Sequence, residues 1–170
     1  MHVIFNHGKE SGPWGTKIKA LAAAARELDC TVGSIDYQGQ MDVDKRVETL
    51  LEAVTDSSDD DIFLVGSSMG GYVATAVAGQ VECKGLFVLA PAYYLGGNVD
   101  FDSVTVNCET HIVHGWHDDI VPVENSWRFA NRTKANLYLV NDDHRLIETL
   151  DDSVKWFKQV LSQAQRKARG

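Results

Sequence analysis

The sequence predicts an α/β fold, a three-layer α/β/α sandwich around a six-stranded, mainly parallel sheet. Three observations carry this prediction. Short apolar runs alternate with helical patterns along the whole chain, the signature of βαβ units. The runs are continuously apolar rather than alternating, as in strands covered on both faces. The segments between them have Ala-rich or one-sided compositions suited to helices that cover a sheet. At 170 residues, one domain over 1–170 is expected, long enough to bury a core without metals or disulfides.

The first strand is predicted at His2–Asn6. Gly12, Pro13 and Gly15 break the loop behind it, and the Ala-rich stretch Thr16–Leu28 forms the first helix. A second strand, Thr31–Asp36, and a helix, Asp44–Thr55, follow. The third strand, Asp61–Gly66, runs into a helix over Met69–Gly79. The fourth, Gly85–Ala90, is followed by Pro91–Glu109, which shows no periodicity. It fits a loop or one short helix, and segments of that length are usually functional or partly structured. A fifth strand, Thr110–His114, a helix, Glu124–Asn131, and a sixth strand, Asn136–Val140, complete the sheet. In the last helix, Ile147–Gln163, Ile147, Leu150, Val154, Phe157 and Leu161 recur mostly at three- or four-residue steps and make one apolar face.

A net charge of -8 and a pI near 5.1 exclude the basic footprint of a nucleic-acid binder. The one basic cluster, Arg166, Lys167 and Arg169, suits a helix C-terminus. Three cysteines, Cys30, Cys83 and Cys108, are an odd number without close spacing and argue against a disulfide framework. The N-terminus lacks a signal-peptide pattern, and no apolar run approaches the ~20 residues that span a bilayer. The expected setting is the cytoplasm, with no membrane partner.

The chemistry-bearing residues follow strand ends, where open α/β sheets bind ligands. Gly66-Ser67-Ser68-Met69-Gly70 joins a buried strand to a helix through a sharp turn, the context that exposes a nucleophilic serine. Ser68 occupies its centre; Ser67 lies off the centre and reads as a turn residue. Gly66 and Gly70 let the turn pack, and Gly71 lets the helix start close to a neighbouring strand. The Met69 N–H, at the helix N-terminus, points at a developing anion. His7-Gly8 follows the first strand, so the Lys9 N–H is the second candidate oxyanion donor, with His7 read as a hydrogen-bonded support for the loop. Asp118 follows the fifth strand and His144 the sixth.

These motifs resemble the α/β-hydrolase superfamily across nearly the whole chain. The order Ser68, Asp118, His144 is that of the superfamily. His114-Gly115, Asp118, Val121 and Pro122 match its acid loop. Asp143-His144-Arg145-Leu146 is similar to its histidine loop, and His7-Gly8 to its oxyanion loop. The short length and Ser11-Gly12-Pro13 resemble small cap-less bacterial esterases of the YqiA type. The resemblance implies a minimal α/β-hydrolase fold with strand order 2-1-3-4-5-6; the sequence departs from the superfamily in size, without the usual first strand pair and with no room for a cap. It also implies hydrolysis of a small acyl ester through an acyl-enzyme on Ser68, with no cofactor.

Other readings stand beside this one. The same triad serves a thioesterase or acyltransferase, and some proteins of this fold bind ligands without catalysis. His7, His114, His117 and Asp118 could be gathered around a metal, but that leaves His144 unexplained, so no metal is expected. Trp14, Tyr93 and Trp116, with Tyr94, follow strand ends or sit on loops; they either contact the acyl substrate or pack.

Overall fold

The computed structural model describes residues 1–170. Its strands are β1 (His2–Asn6), β2 (Thr31–Ile35), β3 (Ile62–Ser67), β4 (Gly85–Leu89), β5 (Thr110–Gly115) and β6 (Asn136–Val140). They form one parallel sheet in the order β2-β1-β3-β4-β5-β6. The helices are α1 (Thr16–Glu27), α2 (Val43–Thr55), α3 (Met69–Ala78), α4 (Val123–Thr133) and α5 (Leu150–Arg169). Ile18 and Leu21 of α1 and Phe157 and Leu161 of α5 pack on one face of the sheet. Leu50 of α2, Val73 of α3 and Phe129 of α4 pack on the other. The three layers and the strand order are those the sequence and its resemblance predict.

Burial explains the strand composition. β3, β4 and β5 are buried at every position, whereas the edge strands β2 and β6 are half-open. The chain leaves β1 for β2 on one side and returns to β3 on the other, so a crevice opens between the C-terminal ends of β1 and β3. Ligands bind at such a switch point in open α/β sheets.

Three features differ from the sequence expectation or extend it. α5 starts at Leu150 rather than Ile147, because the Thr149 N–H and hydroxyl both donate to Asp142 Oδ2 at 2.8 Å and fold the chain back before the helix. It also runs on to Arg169, held down by buried Ala164 and by Gln165 Nε2, which donates to the Leu28 carbonyl at 2.8 Å. Cys83 and Cys108, 25 residues apart in sequence, are free thiols with sulfurs 3.2 Å apart, because parallel pairing of β4 and β5 brings their entrances together. No helix is long and apolar enough to cross a membrane.

Candidate active site

Ser68 sits at the corner where β3 becomes α3, with φ 55° and ψ -117°. A non-glycine residue in this region is strained, and the strain persists only where the surroundings over-determine it. Here the Ser68 N–H donates to the Leu89 carbonyl at 2.9 Å, while its own carbonyl accepts from the N–H groups of Gly71, Tyr72 and Ala92. The glycines are required by contact. A Cβ at Gly66 would lie 2.1 Å from the Gly70 oxygen, and one at Gly70 would lie 1.9 Å from the Asn6 oxygen. A Cβ at Gly71 would lie 2.8 Å from Pro91 Cβ, just past β4.

The side chains of Ser68, His144 and Asp118 meet above the sheet. His144 Nε2 lies 3.1 Å from Ser68 Oγ, and His144 Nδ1 lies 2.7 Å from Asp118 Oδ2. The side chain of Asp118 is wholly buried. Burial alone would raise its carboxyl, but the N–H groups of Val121 and Ile120 and the neighbouring His144 outweigh it, so the pKa falls below the ordinary carboxylate value. Asp142 and Asp143 face other groups: Asp142 Oδ2 accepts from Thr149, and Asp143 Oδ1 from the Arg145 N–H. Gly115 allows this arrangement, since a Cβ there would be 2.3 Å from the Asp142 oxygen.

His114 is a second partner of the acid. Its Nε2 donates to Asp118 Oδ2 and the Val121 carbonyl, both at 3.0 Å, while Nδ1 pairs with the Ser126 hydroxyl at 2.7 Å. Burial holds its pKa below the ordinary histidine value, which keeps the ring neutral. His117 instead reaches Asn141 Oδ1 at 2.8 Å, so the two histidines serve different partners.

The loop after β1 passes beside the serine; a Cβ on Gly8 would lie 3.6 Å from Ser68 Cβ. His7 is buried, with Nδ1 donating to the Gly8 carbonyl at 2.7 Å and Nε2 accepting the Tyr37 N–H at 2.8 Å. The buried guanidinium of Arg46, on α2, donates to the carbonyls of His7, Gly8, Lys9, Tyr37 and Gln40. A trans peptide points its C=O and N–H in opposite directions. With the Gly8 carbonyl fixed on Arg46 and His7, the Lys9 N–H is turned the other way, and no protein acceptor takes it.

The profile of the uncharacterised protein family UPF0227 matches residues 2–100. A crystal structure from Xanthomonas campestris pv. campestris, a protein of the α/β hydrolase superfamily, is 32% identical and superposes with a TM-score of 0.86 over 95% of this chain and 98% of its own. The chain is a UPF0227 member of the α/β-hydrolase superfamily. The mitochondrial palmitoyl-protein thioesterase ABHD10 of Bos taurus is 26% identical over 209 aligned positions, covering 88% of this chain and 68% of that protein. Est1E of Butyrivibrio proteoclasticus, solved with ferulic acid, shares the fold at 20% identity, with a TM-score of 0.80 over 97% of this chain and 89% of that one.

In this UPF0227 protein a cavity of about 740 Å³ opens over Ser68 and His144. Lys9 and Met69 border it, with apolar lining from Ile18, Leu95, Ile120 and Ile147. The aromatic residues expected as substrate contacts lie elsewhere. Tyr93 is fully buried, its ring against Phe101 and Phe129 and its hydroxyl 2.7 Å from Thr75, so it packs the core. Trp14 lies outside the cavity beneath Arg26, Trp116 is exposed outside it, and Tyr94 stacks under Arg128. Strand-end position marked these residues out, but side-chain direction decides lining. Arg46 and Lys17 are the converse. Both look like ordinary helix-surface cations in sequence, and only the tertiary fold turns them inward.

Proposed function

We propose that this protein is a serine hydrolase that cleaves small acyl esters through an acyl-enzyme on Ser68. The observation that carries the reading is the contact chain from Ser68 Oγ to His144 Nε2 at 3.1 Å and from His144 Nδ1 to buried Asp118 at 2.7 Å. Two unclaimed backbone N–H groups, Lys9 and Met69, border the same cavity. In the proposed cycle His144 takes the Ser68 proton as Oγ attacks the acyl carbon, and the carbonyl oxygen becomes an anion held by those two N–H groups. Asp118 stabilises the imidazolium. His144 then passes its proton to the leaving alcohol, and the acyl group stays on Ser68. Water, deprotonated by His144, releases the acid and restores the serine. No step calls on a cofactor, and the acyl donor is a small molecule.

Thioester hydrolysis on the same residues is the second reading, favoured by the likeness to palmitoyl-protein thioesterase ABHD10. The test is labelling with a fluorophosphonate, together with turnover of esters and thioesters of rising acyl length. Ser68→Ala should abolish labelling and lower turnover by on the order of 10⁶ with the fold intact. Wild-type-like turnover in Ser68→Ala would refute the assignment. The ester and thioester series separates the two readings.

A further inference from the structure

The cavity is cationic in an acidic protein. Lys9, Lys17 and Arg145 line it against a single carboxylate, Glu10, although the chain as a whole carries a net charge of -8. The lysine and arginine ion pairs of the chain belong to Lys84, Arg128, Lys155, Lys158 and Lys167, so Lys17 and Arg145 have no carboxylate within 4 Å. A half-buried ammonium without a partner is costly and gains from an anion brought to it. Burial and the Arg145 charge hold the Lys17 pKa down, to about 8, against the opposing pull of Asp118, Asp142 and Asp143.

Position assigns the anion to one half of the substrate. The proton on His144 Nε2 goes to the leaving group, which therefore departs on the histidine side. Arg145 adjoins His144 in the chain, Lys17 lines the same cavity as both, and the charges it feels are those of Arg145, Asp118, Asp142 and Asp143, on the loops carrying Asp118 and His144. We infer that Lys17 and Arg145 form a subsite for an anionic group, carboxylate or phosphate, on the alcohol or thiol half of the substrate. The inference takes its substrate from the serine-hydrolase reading, but its binding test does not depend on turnover.

S-butyryl thioesters of 3-mercaptopropionate, 2-mercaptoethyl phosphate and 3-mercaptopropionamide differ in leaving-group charge. The wild type should show a KM for a charged thioester about tenfold below that for the amide, the size of one charge-assisted hydrogen bond. The ratio should fall toward one in Lys17→Gln and Arg145→Gln, through KM rather than kcat. Whichever anion gives the larger ratio identifies the source. Equal KM values in the wild type, or an anion preference that persists in the double variant, would overturn the subsite. Calorimetric binding of the same compounds to Ser68→Ala separates this from failure of the hydrolase reading. An anion preference there that depends on Lys17 supports the subsite even if no thioester turns over; its absence refutes the subsite even if the amide is hydrolysed.

Discussion

Asp118 accepts four hydrogen bonds, and only one comes from His144. Oδ2 takes His144 Nδ1 and His114 Nε2, and Oδ1 takes the N–H groups of Ile120 and Val121. Every direction around the carboxylate is a donor, so an amide in its place must set an NH2 against an N–H. Asp118→Asn should therefore keep the fold yet lower kcat by up to ~10⁴, because the histidine loses its acceptor and its tautomer. Asp142→Asn should act differently. It weakens the bonds from Thr149 and should cost about 1–2 kcal/mol in urea unfolding, with kcat nearly unaffected. Asp119→Asn should change little in either assay; if it proves the crippling change, the loop's acid is misassigned. At this scale the sequence exposed residue types at strand ends, since turn glycines and strand endings are local. It did not expose His114 as a donor to Asp118, nor Lys17 as a cavity cation. Those relations join residues through side-chain direction rather than through spacing.

At the scale of elements, the corner at Ser68 and the loop at Gly8 are held by different means. The corner is held by close packing. Gly70→Ala drives a methyl into the Asn6 carbonyl and should destabilise by more than ~4 kcal/mol, with soluble expression as the readout. Gly15, with open space around its Cβ and φ -67°, is the control; Gly15→Ala should be neutral or stabilising by up to ~1 kcal/mol. The loop after β1 is held by Arg46, which satisfies carbonyls of three consecutive residues, His7 to Lys9. Arg46→Met leaves the His7 and Lys9 carbonyls without this donor and the Gly8 carbonyl with His7 Nδ1 alone, and should cost about 3 kcal/mol or more. Arg46→Lys keeps the charge but not the five-donor fork. Its kcat should fall about tenfold or more at a temperature where it is fully folded, with equal loss on every ester. A kcat equal to wild type would show that the loop keeps its shape without the fork. Element order and type were legible because apolar runs and helical periods are local. The start of α5 was not, because Thr149 bonds back to Asp142, a tertiary choice that periodicity does not encode.

For the molecule as a whole, three buried histidines govern the response to acid. Burial holds His7, His111 and His114 below the ordinary value. The unfolded chain protonates each near ~6.5, so below that pH it binds more protons than the fold. Stability should be full above about pH 6.5 and fall as pH drops toward the folded-state values. The slope should be at most ~1.4 kcal/mol per pH unit for each histidine. Urea midpoints from pH 8 to 5 test this, and His111→Gln should flatten the slope. Midpoints that are level or rising from pH 7 to 5.5 would contradict it. The parallel sheet has another consequence, one of timing. β1 pairs with β3 some 60 residues later, with His2 beside Ile62. Ser68 is made before the middle of the chain, whereas His144 follows the last strand. During synthesis the serine corner thus precedes His144 by 76 residues, and long-range pairing is slow to complete. On the proposed mechanism Ser68 stays inert until the final strand docks and brings His144 to it, so in refolding fluorophosphonate reactivity should return no earlier than the completed sheet.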